Sequence, residues 1–138
     1  MSAGAALRTR LLAVSGVTAI TSTVLQGYAK TATALPYIVI HAIGGTPHGY
    51  MDNAAAIGEH TLQIDGYAAS GTVRDNLSEA IRNAVDGWDG LVGTVSIRRV
   101  ILDPPAHTVE GLDSGRETPI FRTRIDARVW FAQAVPTH

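Results

Sequence analysis

The sequence has 138 residues, no cysteine and a formal net charge of −1. A chain of this length is expected to form one domain, over residues 1–138, and to bury about 68% of its unfolded surface without help from metals or disulfides. The lack of cysteine excludes thiol catalysis, cysteine metal ligands and a disulfide framework. The near-neutral charge gives no field that would favour nucleic acid or an anionic membrane.

The N-terminal segment predicts a short helix followed by a short strand. Residues 3–14 place Leu7 and Leu11 on one side of a helix and Arg8 and Arg10 on the other. The apolar run that follows resembles a signal peptide, but Ser15, Gly16 and several threonines dilute it, so we expect folded structure rather than secretion. It is also too short and polar to span a bilayer. Residues 21–25 are rich in β-branched side chains and predict a strand.

The clearest strand is YIVIHAI, residues 37–43. It is apolar on both faces, which is typical of a central strand. Gly44, Gly45 and Pro47 are expected to end it in a turn. Residues 47–58 have no consistent period and predict a long exposed connection, of the kind that is usually functional or disordered in compact domains.

Residues 59–86 predict a strand and then a helix. Leu62 and Ile64 alternate with polar residues, which indicates a strand with one buried face. The apolar residues then recur at three- and four-residue steps, as on one face of a helix; they are Val73, Leu77, Ala80, Ile81, Ala84 and Val85. Ser70 or Thr72 is expected to be the N-cap, the latter with Asp75 as a variant capping box, and Gly87 ends the helix.

The last third predicts two strands separated by polar loops. Residues 88–93 are expected to be a turn in which Trp88 and Leu91 fold back onto the helix end. Residues 94–102 predict a strand that Asp103-Pro104-Pro105 stops. Residues 107–118 predict a polar loop, and 119–131 the final strand. The order indicates an α+β fold: a mostly antiparallel four- to five-stranded sheet with one long helix and a short N-terminal helix packed on one face.

No catalytic or metal-binding motif stands out. The ligand-like residues are His41, His48, His60, His107, Asp52, Asp103 and Asp113, and they lack the helix-spaced pairs of zinc enzymes. We expect His41 and His60 to lie beside each other in a hairpin and the others to be solvated. Gly44-Gly45 lacks the spacing of a phosphate loop, and Ser15 is not in a nucleophile elbow. The sequence therefore predicts no catalytic residue, no cofactor and no metal.

Arg122, Arg124 and Arg128 alternate along the last strand and are expected to share its polar face, with Arg98 or Arg99 of a neighbouring strand beside them. Asp126 offsets part of this charge. The row is either a solvated outer face, or a surface that contacts another subunit or lines a channel. On an edge strand it would also deter unwanted pairing.

Five blocks of the chain together resemble the tail terminator, or tail completion, proteins of long-tailed phages and gene transfer agents. They are LRTRLLA, ALPYIVIHAIGGTP, HTLQIDGYAASGTVRDNLSEAIRNAVDG, RVILDPP and TPIFRTRIDARVWF. The resemblance covers nearly the whole chain, although the 45–58 segment is longer than the pattern needs. It implies an α+β structural protein with no catalytic residues.

The resemblance also implies partners. Such proteins form a homo-hexameric ring that caps the tail tube, stops its polymerisation and meets the head–tail connector, while DNA passes through the lumen without specific binding. The ring would lie at the tail–neck junction of the virion, and its subunits would be in the host cytoplasm before assembly. We expect the 45–58 segment, with His48, Tyr50, Met51 and Asp52, and the 107–118 loop to supply contacts to neighbours or to the tube.

The arginine row then lines the lumen or binds a neighbouring subunit. Tight DNA binding in the bore would hinder ejection, so the subunit contact, with Arg98, Arg122, Arg124 and Arg128, is favoured. Charge reversal at Arg124 is expected to weaken the ring. The alternatives are a head–tail connector or stopper protein of the neck, or a small ligand-binding or hydrolytic domain with an enclosed pocket of convergent polar groups.

Overall fold

The computed structural model describes residues 2–28, 33–48, 55–110 and 119–134. Within these ranges the chain forms three helices and seven strands. In chain order they are α1 (Ala3–Ala13), α2 (Ser15–Thr18), β1 (Val24–Gln26), β2 (Tyr37–His48), β3 (Ala55–Ala68), α3 (Gly71–Val85), β4 (Gly90–Val92), β5 (Val95–Leu102), β6 (Ala106–Glu110) and β7 (Ile120–Ala134). The predicted mixed α+β class is confirmed.

The described strands make one sheet in the order β1-β2-β3-β7-β5-β4, with β6 paired to the remainder of β7. β1 is parallel to β2, and every other described pairing is antiparallel. β7 is therefore internal: it pairs with β3 along one side and with β5 and β6 in succession along the other. The arginine row on this strand does not lie at a sheet edge, so protection of an edge is not its role.

The predicted count of four to five strands is too low. β4 and β6 lie in segments that the sequence predicts as a turn and a loop. β4 has only three residues, and residues 106–109 of β6 are exposed on both faces. A strand without a buried face carries no alternation of apolar and polar residues, so its sequence does not reveal it.

β2 and β3 form a longer antiparallel pair than the sequence predicts. The expected break at Gly44 is instead a bulge between Ala42 and Gly44, after which pairing continues to His48 and Ile57. A bulge absorbs one extra residue and lets the strand bend without ending. Gly44 and Gly45 therefore belong to a strand rather than to a hairpin turn. The remainder of the expected loop, residues 49–54, lies outside the described residues.

The core lies on the side of the sheet that faces α1 and α3. Alternate residues of β2, β3 and β7 point to it, among them the buried Ile40, Ile64 and Ile125. Leu7 and Leu11 of α1 and Leu77 and Ile81 of α3 are also buried in the same cluster. Each such side chain contributes about 1.5–3 kcal/mol through removal from water. The predicted apolar faces of these elements are the buried ones.

The N-terminal apolar run forms α1, α2 and β1 rather than a single long helix. Arg10 of α1 joins the two main helices: its Nε donates to the Ala84 carbonyl at 3.0 Å, and its guanidinium lies 5.3 Å from the ring centre of Trp88. Trp88 thus packs partly against the core as predicted. Across the described segments, every helix falls short of the length and apolarity needed to cross a membrane.

The prediction that Leu91 folds back onto the helix is wrong. Leu91 pairs with Ser96, while its neighbours Gly90 and Val92 pair with the buried Ile97 and Val95. Successive residues of a strand point to opposite faces, so Leu91 points away from the core and is 73% exposed.

α3 has one N-cap, and it is Ser70. The Ser70 hydroxyl accepts a hydrogen bond from the Val73 N–H at 3.2 Å, whereas Thr72 lies inside the first turn. Asp75 contacts Arg74 instead of closing a capping box. The helix ends before Gly87, which has a φ of 73° and donates its N–H to the Val100 carbonyl at 2.8 Å. The left-handed backbone at this position favours glycine.

Replacement of Ser70 by alanine is expected to lower the free energy of unfolding by about 1 kcal/mol, because it removes the partner of an otherwise unpaired helix N–H. Thermal or urea unfolding would measure the loss. Thr72→Ala is the matched control, since Thr72 is exposed and lies two residues further on, in the first turn of the helix. It should change stability by less than half as much. A larger loss for Thr72→Ala would contradict the assignment of Ser70 as the cap.

Candidate interaction surface

The side of the sheet opposite the helices carries most of the polar side chains predicted to form contacts. We call it the outer face. It is built by the alternate residues of four strands whose neighbours are buried in the core, so its members follow from the register. Its charged and aromatic members are Tyr37, His41, Glu59, Asp65, Tyr67, Arg99, Arg122, Arg124, Asp126, Arg128 and Trp130.

At the centre of the outer face lies a carboxylate with very little contact with solvent. The Asp65 side chain is 1% exposed. Its Oδ2 accepts a hydrogen bond from Gln63 Nε2 at 2.8 Å and lies 3.0 Å from Arg122 Nη2 and 3.3 Å from His41 Nε2. Three strands thus place one nitrogen each around a single oxygen: Gln63 from β3, His41 from β2 and Arg122 from β7. Burial of a charge is tolerated only with such partners.

Asp65 Oδ1 accepts no hydrogen bond from the residues that the structure describes. The carboxylate is therefore held on one side only. An ion pair of this kind fixes the position of the arginine more than it adds stability, because desolvation of both groups offsets their attraction. The consequence is that Arg122 is held against the sheet.

Aromatic rings extend this cluster. Tyr37 and Tyr67 stack with their ring centres 4.8 Å apart and an angle of 24° between their planes. The Arg122 guanidinium lies 5.6 Å from the ring centre of Tyr67. Stacked aromatic rings and a cation over a ring each add stabilisation beyond the area that they bury. This part of the outer face is therefore ordered without a partner.

The remaining arginines of β7 are more exposed. Arg124 lies 3.4 Å from Asp126 Oδ1, with the two side chains 49% and 36% exposed. Arg128 is exposed, and its guanidinium lies 5.9 Å from the ring centre of Trp130. The structure thus places all three predicted arginines on one face, but it splits them into one held arginine and two available ones. Arg98 is exposed and lies in the bulge of β5 between Ile97 and Arg99.

The histidines do not gather. His41 pairs with Gln63 and points to the outer face, whereas His60 points to the opposite side, where its ring packs edge-to-face with Phe131, the ring centres 4.8 Å apart. The prediction that they lie beside each other is wrong, because His41 pairs with Gln63, three residues from His60, and an odd separation along β3 places the two side chains on opposite faces. His107 lies 3.9 Å from Asp75. Among the described residues, no three His, Asp or Glu side chains form a cluster that would hold a metal ion.

Two of the predicted contact segments fall partly or wholly outside the described residues. His48 ends β2, and Tyr50, Met51 and Asp52 lie outside the described residues. The loop predicted over residues 107–118 begins as β6, which corrects that prediction as far as residue 110; residues 111–118 lie outside the described ranges. The contacts expected from residues 49–54 and 111–118 stay predictions.

Two cavities are lined by described residues, and neither has the residues of a catalytic pocket. One of about 460 Å³ is lined by Thr23, Leu25, Gln26, Tyr28 and Thr33. Another, of about 350 Å³, is lined by Ser2, Gly4, Gln26, Gly27, Ile40, Ala42, His60 and Leu62. Among these described lining residues, neither cavity brings together two carboxylates or a nucleophile and its base, which are the usual signs of a catalytic pocket.

Asp65 is the residue of this surface that sequence reasoning missed. In LQID it alternates with Leu62 and Ile64 and follows Gln63 by two positions, so the pattern places it on a solvated polar face. Only its neighbours across the sheet bury it. The sequence feature that could have indicated it is an aspartate on the polar side of one strand together with arginines on the polar side of another.

Comparisons with known proteins agree with this geometry. The family model described as tail completion protein gp17 matches residues 5–131. A chain of the virion of a native gene transfer agent particle has the same fold, with a TM-score of 0.67, 15% identity and 95% of each chain covered. A second solved chain, named only by a sequence identifier, has a TM-score of 0.52 and 12% identity over 96% of this chain and 94% of its own. No curated protein matches the chain significantly.

The two solved chains show the fold alone, because their identities are low. The family model carries more, since it runs from inside α1 to near the end of β7 and so includes nearly every described element. The predicted resemblance is confirmed. The chain belongs to the family of tail completion protein gp17 and is a structural component of the phage tail.

Proposed function

We propose that the chain is a tail terminator. Six copies form a ring that caps the tail tube, stops its polymerisation and joins the tail to the head–tail connector. The observation that carries the proposal is the family match over residues 5–131. The ring stands at the tail–neck junction of the virion, its subunits reside in the host cytoplasm before assembly, and DNA passes through the lumen without specific binding.

The architecture supports a role in which the protein acts only by binding to its neighbours. The described residues hold a sheet with helices on one side and charged side chains on the other, so each subunit presents two chemically different surfaces. A closed ring needs such a heterologous contact, in which one patch meets a different patch of the next subunit. The β2–β3 pair, which continues past the bulge to His48, extends toward the segment proposed to contact the tube or a neighbour.

Tail assembly in the absence of this protein tests the proposal. Tubes assembled without it are expected to vary widely in length and to lack joined heads, whereas added protein should restore one length and a cap at the tube end. Electron microscopy of purified tails measures both. Normal tube lengths combined with binding of the protein to filled heads would favour the stopper alternative and overturn the terminator proposal.

A further inference from the structure

The exposed charges of α3 all have one sign. Asp75 and Glu79 are exposed, and their spacing of four residues places them on one stripe of the helix. We call them the acidic stripe. The two arginines of the helix are half-buried and engaged: Arg74 Nε donates to Asp75 Oδ1 at 3.1 Å, and Arg82 Nη1 donates to the Asp103 carbonyl at 3.4 Å. Both arginines are less exposed than Asp75 and Glu79, so the charge that α3 presents to solvent is carried by these carboxylates, with Arg74 offsetting part of the charge of Asp75.

The exposed charges of the outer face have the opposite sign. Arg99, Arg124 and Arg128 are exposed, and we call them the basic row. The carboxylates on the same face are less accessible: Glu59 and Asp126 are half-buried and Asp65 is buried. The outward charge of this face is therefore positive.

The two surfaces cannot neutralise each other within one chain. α3 and the outer face lie on opposite sides of the sheet, with the core cluster between α3 and the strands. Packed layers are about 10 Å apart, which already exceeds the screening length of about 8 Å for exposed charges at physiological salt. Each surface is thus left to attract a separate molecule of opposite charge.

We propose that the acidic stripe of one subunit docks on the basic row of the next. This inference rests on the proposed ring and names its contact: a head-to-tail pairing of a helix with the outer face of a neighbouring sheet. The same chain supplies both surfaces, as a cyclic assembly requires. Charge complementarity of this kind directs the orientation and speed of association.

The outer face also has the side chains that interfaces favour. Trp130 and Tyr67 lie among the arginines, and aromatic residues and arginine are enriched at the centres of protein interfaces. Arg122 is held by Asp65 and Tyr67 before any partner arrives. A side chain that is already ordered loses less conformational freedom on binding. The aromatic surface would supply contact area and the basic row would supply the orientation.

A charge-reversal experiment tests the pairing. The basic-row variant carries Arg124→Glu and Arg128→Glu, and the stripe variant carries Asp75→Lys and Glu79→Lys. Either variant alone places like charges at every subunit contact, so its occupancy of tube ends as a ring is expected to fall at least tenfold. Asp89→Lys, which reverses an exposed charge outside both surfaces, should form rings as the wild type does.

An equal mixture of the two variants should restore the rings, because an alternating six-membered ring pairs opposite charges at every contact. The four substitutions combined in one chain should restore them for the same reason. Circular dichroism and thermal unfolding confirm that each variant is folded. If wild-type protein forms rings on tube ends but neither the mixture nor the four-substitution variant does, the pairing is overturned and the proposed function is not. Normal rings from either charge-reversed variant alone would have the same meaning. Tube ends left bare by wild-type protein would overturn the proposed function as well.

Discussion

Replacement of Asp65 by alanine is expected to lower the free energy of unfolding by about 3 kcal/mol. The substitution leaves the Arg122 guanidinium without the carboxylate oxygen that lies 3.0 Å from it, and removal of one partner of a buried pair costs about 3–5 kcal/mol. The lower end of that range applies because Arg122 keeps 24% of its side chain exposed. Urea unfolding monitored by tryptophan fluorescence measures the change.

Asp126→Ala is the matched control on the same face. Asp126 also lies near an arginine, at 3.4 Å from Arg124, but the side chains of Arg124 and Asp126 are 49% and 36% exposed, so the loss is expected to be about 0–1 kcal/mol. Asp65→Leu combined with Arg122→Leu should recover part of the stability, because apolar side chains then replace both members of the pair. Equal losses for Asp65→Ala and Asp126→Ala would show that the buried position of Asp65 has no energetic effect.

Replacement of Gly66 by alanine is expected to lower the free energy of unfolding by about 2 kcal/mol, within the range for overpacked cores. A β-carbon at this position would lie 2.9 Å from Leu77 Cδ2 and 3.0 Å from Thr123 Cγ2. Both neighbours are fully buried, so neither moves aside without displacing others. Gly66 thus sets the distance at which α3 packs on β3 and β7. Thermal unfolding measures the loss.

Gly44→Ala provides the control for Gly66→Ala, since it is also a strand glycine and its added β-carbon would meet nothing within 4 Å. Its stability should change by less than 1 kcal/mol, in line with a surface substitution. Gly66→Ala and Leu77→Ala together should cost less than the sum of the two alone, because the smaller side chain makes room for the new methyl group. Strict additivity would refute the packing explanation.

The elements with one buried face could be predicted from the sequence. The stripe of α3, the core sides of β3 and β7 and the arginine row on the other side of β7 all follow from periodicity, and the structure agrees with each. β4 and β6 could not be predicted, because Leu91 and residues 106–109 of β6 are exposed and leave no pattern. The full length of β2 could not be predicted, because a glycine pair such as Gly44-Gly45 usually ends a strand, whereas here the pairing with β3 continues past the bulge.

The surface was harder to predict than the fold. Alternation identified which side of β7 carries Arg122, Arg124 and Arg128, but it could not show that Asp65 holds the first of them, since that contact joins two strands far apart in sequence. For the same reason the sequence left open whether β7 lies at an edge, and the structure shows β5 and β6 on its second side. Pairing partners are a property of the whole sheet and are not encoded within one strand.

The position of β7 in the chain has a consequence for how the protein is made. β3 and β5 are not neighbours; each reaches the other only through β7, which also holds β6. Since β7 follows every other described strand, the two halves of the sheet stay separate until the ribosome has delivered it. Contacts between distant parts of a chain form slowly and leave apolar surface exposed meanwhile. The sheet is therefore completed only after translation of β7, and chaperones have their opportunity to act before that step.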